Sequence, residues 1–292
     1  ARGTCERNLD TAYQNFFRRV KSGQNPGFPI FKSKKHGIGS FAVRGSIVVE
    51  SNRVKIPRIG WVKLKERNYL PGENVKLLYL TISNRANRWY VSAQVEKEIQ
   101  IVPASNPPVG VDFGINTLAV CSDGKRFENP HVLRLAESRL KRLQRELSRR
   151  TKGGSNYKKT RIKLATQHAR VADIRKHILH NISSYVTAKT KPRIVVIEDL
   201  NVRGMLSNHH LSQAISDVSF GELRRQIEYK SLWGGVEVKL ASRWYASSKI
   251  CSRCGAIDRD LELSDRVFVC PDCGYEIDRD DNASRNLVSL VL

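Results

Sequence analysis

The chain has 292 residues, with 51 Lys+Arg against 28 Asp+Glu, a formal net charge of +23. Hydrophobic residues make up 40% and charged residues 27%, which fits a folded chain of roughly two domains and excludes disorder. No apolar run approaches the ~18 residues of a membrane span, and the N-terminus has no apolar signal-type segment.

A cationic surplus of this size calls for an acidic partner. Nucleic acid is the usual one, because each neutralised phosphate releases counterions. The rival reading is a merely soluble basic protein, and it weakens where charge is clustered beside a catalytic constellation. The chain opens at Ala1 and its only methionine is Met205, which reads as a fragment or a processed form.

In chain order, residues 1–22 predict a helix, with Leu9, Tyr13, Phe16, Phe17 and Val20 on one face. A Gly/Pro/Lys loop follows over residues 23–35. From residue 40 to 96 the period changes to two. Candidate strands lie at 41–44, 47–50, 54–56, 61–65, 75–83 and 89–95, with turns at 51–52 and 84–87. Many short strands with little helix predict a small barrel or sandwich. Trp61 and Trp89 fit its core or a nucleic-acid surface equally well. Residues 101–108 read as a linker.

An α/β region then begins. Strands are expected at 109–114, 118–121 and 126–127, with a hairpin turn at Asp123-Gly124. Residues 132–189 predict a helical hairpin broken at Gly153-Gly154-Ser155. The strongest strand covers residues 192–200, and a loop is expected over 201–213, holding Gly204, His209 and His210. A helix near 219–230, a strand at 236–241 and a closing helix at 280–290 complete the pattern.

From residue 138 to 164 there are eleven Lys/Arg and one acid, Glu146. A run so nearly single-signed exceeds what i,i+4 pairing can neutralise, so a phosphate-tracking surface is favoured over a solvated helix face. Arg142, Arg145, Arg149, Lys152, Lys158 and Lys159 are its candidate contacts.

Two CxxC pairs, Cys251/Cys254 and Cys270/Cys273, are each followed by glycine, Gly255 and Gly274. Tetrahedral zinc takes four thiolates, and each turn supplies two, so one structural Zn²⁺ is expected. Cys5 and Cys121 are isolated. This is a metal pattern of a reducing compartment and not a disulfide framework.

Carboxylates give the second signal. Asp112 interrupts an apolar strand, and Glu198 ends the apolar run Ile194-Val195-Val196-Ile197. An acid in a buried strand costs several kcal/mol unless something compensates it. A third comes from Asp278-Arg279-Asp280-Asp281-Asn282-Ala283. On a helix starting there, Asp280, Ala283, Leu287 and Val291 share a face, Asp281 turns away, and Asp278 suits a cap. Three converging acids call for two magnesium ions, one to activate water and one to stabilise the leaving 3′-oxygen of a phosphodiester. Their order fits RNase H topology: Asp112 on the first of three antiparallel strands and Glu198 on the fourth strand. Phosphate-loop and nucleophile-elbow motifs are absent.

These motifs, read as Gly110-Val-Asp112-Phe-Gly114-Ile-Asn116, Val196-Ile-Glu198-Asp-Leu200-Asn-Val-Arg-Gly204-Met205, the two cysteine knuckles and the final acid cluster, closely resemble the TnpB family, the OrfB-type proteins of insertion sequences related to type V CRISPR nucleases. Gly27-Phe-Pro-Ile-Phe-Lys32-Ser-Lys34 resembles the family's lead into its wedge barrel. The resemblance implies an α/β RNase H-like (RuvC) nuclease core with an inserted zinc ribbon, preceded by a partial helical segment and a small wedge-like β-barrel. The implied division is 1–24 recognition helix, 25–105 wedge, 106–246 RuvC core, 247–276 zinc ribbon and 277–292 closing helix. It implies an RNA-guided DNA endonuclease with Asp112, Glu198 and Asp280 catalytic and holding magnesium. Its partners would be a guide RNA from the element end, double- and single-stranded target DNA, and a transposase of the same element, in a prokaryotic, nucleoid-associated cytoplasmic setting. Against the family pattern the chain reads as N-terminally truncated. A truncated binding regulator or guided repressor without cleavage is the alternative, and a strand-transfer enzyme stands behind it.

Overall fold

The computed structural model describes residues 2–30, 39–70, 75–208, 212–262 and 264–292, with backbone alone at 2–5 and 7. The side chain of Cys5, residues 31–35 of the expected loop, and His209-His210 lie outside what is described. The chain divides into two compact units, residues 1–98 with 158–166, and residues 99–157 with 167–292.

In the first unit, helix α1 (Arg2–Lys21) forms as its pattern requires, but its apolar stripe stays largely exposed. Phe28 meets Tyr13 and Phe16 edge-on. The strands are β1 (Ser40–Val43), β2 (Val48–Val49), β3 (Arg53–Ile56), β4 (Gly60–Lys63), β5 (Lys76–Arg85) and β6 (Arg88–Glu96). The predicted barrel or sandwich takes the form of two three-stranded antiparallel sheets, β1-β5-β6 and β2-β3-β4. Both send alternate side chains into one core of Val54, Ile56, Leu80 and Ile82. The β5–β6 hairpin turns on Ala86 and Asn87, both at positive φ, which suits the right-handed strand twist. Trp61 and Trp89 are exposed, so neither belongs to the core.

In the second unit come β7 (Val109–Asp112), β8 (Thr117–Cys121), β9 (Arg126–Glu128), α2 (Val132–Ser148) and, apart from residues 158–166, α3 (Ser155–Ser184), which ends in a π-helical turn, Tyr185–Lys189. β10 (Ile194–Glu198), α4 (Val202–Ser207), α5 (Ser212–Val218), α6 (Phe220–Gly234) and β11 (Glu237–Ala241) follow. The cysteine knuckles carry β12 (Val267–Val269) and β13 (Glu276–Asp278), and α7 (Arg279–Ser289) closes the chain. The sheet order is β11-β10-β7-β8-β9. β7, β8 and β9 run antiparallel, while β7, β10 and β11 are parallel, the topology expected from the order of the acids.

The expected loop at 201–213 is corrected: its described parts form α4 and α5. Asn201 caps α4 by accepting from the Gly204 N–H at 3.1 Å, and Ile215 and Val218 of α5 are buried in the core. In α4 the cap and the partial burial of Val202 and Met205 against the core outweigh the loop-like composition of Asn, Gly and Ser.

Strand alternation gives the sheet two faces. Val111, Val195 and Ile197 pack with Leu179 and Ile182 of α3 and Leu223 and Ile227 of α6. Val196 and Ala241 pack instead with Leu287 of α7. Gly110 faces α7 so closely that a β-carbon there would overlap the Ser284 carbonyl oxygen. Two residues further along their strands, Asp112 and Glu198 share that α7 face. Cys121 is buried in the core, which pushes its thiol up to about 12 and makes it inert.

Candidate active site and metal centre

The register pairs Ile197 with Val111, so the next residues, Glu198 and Asp112, end neighbouring parallel strands at one sheet edge. Asp280 comes from the first turn of α7. Asp278 caps that helix, accepting from the Asp280 N–H at 2.9 Å and the Asp281 N–H at 3.2 Å. The Arg126 guanidinium on β9 holds Asp278 and Asp281, each at 2.7 Å. Asp281 is thus turned from the cleft, as the helical spacing predicts, and Asp280 is left to face it.

Asp112, Glu198 and Asp280 line one cleft of about 1080 Å³, together with Lys249, Arg266 and Arg279. Burial pushes the Asp112 carboxyl well above the usual carboxylate range; the negative charges of Glu198 and Asp280 push the same way, and Arg279 opposes them. Glu198 is also raised by burial, against a hydrogen bond donated by the Ser247 hydroxyl to its Oε1 at 2.7 Å. Arg279 Nη2 lies 3.1 Å from Asp280 Oδ1. Asp112 and Glu198, both raised by burial, line one cleft with Asp280, and a divalent cation held there would relieve the cost of ionising the two buried acids.

The second centre is the cysteine cluster. One sulfur from each of Cys251, Cys254, Cys270 and Cys273 lies within 4.8 Å of the others. Cys251–Cys273 measures 3.8 Å and Cys254–Cys270 3.5 Å. A tetrahedral ion with bonds of about 2.3 Å separates its sulfurs by about 3.8 Å, whereas a disulfide needs about 2.05 Å. The donor set therefore fits one thiolate-bound metal. Gly255 and Gly274 sit at φ 81° and 66° and give each knuckle its tight turn.

The basic residues Arg142, Arg145, Arg149, Lys152, Lys158 and Lys159 are all exposed, and among the described residues none is ion-paired. Along the helix, Lys141 pairs with Glu137 and Arg150 with Glu146.

Sequence reasoning missed Ser247, Asn286 and Arg126, and gave Asn282 no role. Asn282 and Asn286 are buried and bind the backbone that leads into the first knuckle. Buried asparagines on the apolar face of α7 were the available signal.

Residues 90–209 match the family model described as "Probable transposase", of the OrfB type, and residues 220–287 match the "Cas12f1-like, TNB domain". A Streptomyces pristinaespiralis protein named "Putative RNA-guided DNA endonuclease" is 37% identical over 289 residues, covering 98% of this chain and 70% of the relative. InsQ of Escherichia coli K12, which bears the same description, is 32% identical over 302 residues, covering 97% and 72%. The protein in a structure titled "Cryo-EM structure of the Cas12f1-sgRNA-target DNA complex" superposes with a TM-score of 0.61 at 16% identity, covering 94% of this chain and 69% of that one, a likeness of fold. Identity of this extent, with the strand order and the two residue clusters described above, shows that the chain belongs to the OrfB-type, TnpB family of insertion-sequence proteins.

Proposed function

We propose that the chain is an RNA-guided DNA endonuclease whose phosphodiester hydrolysis is carried out in the cleft of Asp112, Glu198 and Asp280. The observation that carries this reading is the convergence of those three acids from β7, β10 and α7 on one open cleft. Magnesium ions held there would supply a polarised water and a Lewis acid for the leaving 3′-oxygen. The chain's own residues hold the acids in place: strand register sets Asp112 beside Glu198, and the Asp278 cap with Arg126 fixes the start of α7. Lys249 and Arg266 on the cleft wall suit a phosphate backbone.

The four thiolates hold one structural Zn²⁺ in a ribbon over 247–276, flanked by a RuvC core at 106–246 and the closing helix at 277–292. The sheets within 25–105 are the wedge, preceded by the recognition helix of 1–24. A guide RNA from the element end reads the target by base pairing, and the protein reads duplex shape. The partners named by the relatives, RNA and DNA, match the net charge of +23. A transposase of the same element and a nucleoid-associated location belong to this reading. No helix among the described residues is long and apolar enough to cross a membrane.

The test is cleavage of matched target DNA by the purified chain with RNA transcribed from the element end. Cleavage is expected with Mg²⁺ and is lost in EDTA; cutting that persists in EDTA contradicts the proposal. Two further results are expected. Cys270→Ser should lower bound zinc, assayed by mass spectrometry, from one per chain to near none. Replacing Arg142, Arg145 and Arg149 with Ala should flatten the salt dependence of nucleic-acid binding by about 0.9 in slope per lost phosphate contact. An unchanged slope returns these residues to a solvated face.

A further inference from the structure

Ser247 has no place in the chemistry above, yet it is 5% exposed and its hydroxyl donates to Glu198 Oε1 at 2.7 Å. Its backbone is itself gripped. Asn286 Nδ2 donates to the Ser247 carbonyl at 2.7 Å and to the Ile250 carbonyl at 2.5 Å. Asn282 Nδ2 donates to the Ile250 carbonyl at 2.6 Å, and its Oδ1 accepts from the Ser252 N–H at 2.9 Å. Both asparagines are fully buried, one turn apart on the helix that carries Asp280. The strap they hold, residues 247–252, also contains Cys251.

We infer that Ser247 is a positioning residue for Glu198, kept in register by Asn282 and Asn286, so that α7 sets the placement of two of the three cleft acids. The inference rests on the reading of the cleft as a cation site. A glutamate has three side-chain torsions and here faces like charges in a desolvated cleft. A hydroxyl on one of its oxygens fixes the carboxylate plane before any cation arrives. Hydrogen-bond partners of this kind typically contribute 10- to 100-fold to metal affinity. Asp280 needs no such strap, because the first turn of a capped helix already holds it. The same strap links Glu198 to the cysteine cluster through five consecutive residues.

Binding of Mn²⁺ to the zinc-loaded chain, followed by electron paramagnetic resonance, tests this apart from activity. Ser247→Ala should weaken Mn²⁺ binding about 10-fold or more and raise the Mn²⁺ concentration for half-maximal cleavage by a similar factor, in a chain that is still folded at the assay temperature by circular dichroism. Ser247→Thr, which keeps the hydroxyl, should restore both. Wild-type Mn²⁺ affinity in Ser247→Ala, or no restoration by Thr, overturns the inference. Asp112→Ala separates it from the reading beneath: if that variant also binds Mn²⁺ as the wild type does, the cation-site reading itself has failed.

Discussion

Asp112→Asn is expected to lower guided cleavage by at least about 1,000-fold, roughly 4 kcal/mol of transition-state stabilisation, while the chain stays folded. Asn keeps the size and one acceptor of the side chain but loses the charge, and burial is the largest influence on the Asp112 carboxyl. The same substitution carries a second, opposite signature. Without cations, burial and the charges of Glu198 and Asp280 raise the folded-state pKa of Asp112 above its unfolded value. Between those two values the folded state binds more protons than the unfolded state, so this group contributes stability that is lost as pH rises. In EDTA, Asp112→Asn should therefore be more stable than the wild type at neutral pH and should lack that part of the pH dependence. Urea unfolding at several pH values, beside a cleavage assay, reads both effects. A variant that still cuts at the wild-type rate would remove Asp112 from the chemistry.

Gly110→Ala should damage both stability and activity through packing alone. Gly110 has an ordinary φ, so the constraint is space: an added β-carbon would overlap the Ser284 carbonyl and come within 3.0 Å of the Leu287 Cβ. Overpacking of a filled core typically costs about 1–3 kcal/mol, and the upper end is expected because the obstacle is helix backbone and not the end of a flexible side chain. α7 must shift to admit the methyl group, and Asp280 rides on its first turn. Cleavage should fall by more than the folded fraction does, since about 1 Å of misplacement costs about 100-fold. An unchanged urea midpoint with unchanged cleavage would mean that α7 does not pack on β7 as described.

Much of the second unit was legible in the sequence because its signals are local. An acid that interrupts or ends an apolar strand, as Asp112 and Glu198 do, stands out against the period of its neighbours. The Asp278 cap and the spacing of Asp280, Ala283 and Leu287 follow from helix geometry; the cap forms, and Ala283 and Leu287 are buried. The cysteine spacing needed only the reach of two tight turns. What escaped the sequence was the contact made across distance. α4 and the first two residues of α5 read as loop, because Asn201, Gly204 and Ser207 signal turns, while the core contacts of Val202 and Met205 in α4 and of Ile215 and Val218 further along α5 come from elements far along the chain. The Ser247–Glu198 bond spans 49 residues and the Asn286–Ser247 bond 39, and neither leaves a periodic trace. The exposure of Trp61 and Trp89 was open for a similar reason: on a half-buried strand, periodicity alone does not say which face meets the core.

The most direct measurement of the central claim is the anomalous difference density of crystals soaked in Mn²⁺. The account predicts manganese in the cleft, within about 2.0–2.6 Å of carboxylate oxygens from Asp112, Glu198 and Asp280. Manganese bound elsewhere with that cleft empty, or ligated by none of these three acids, would contradict it.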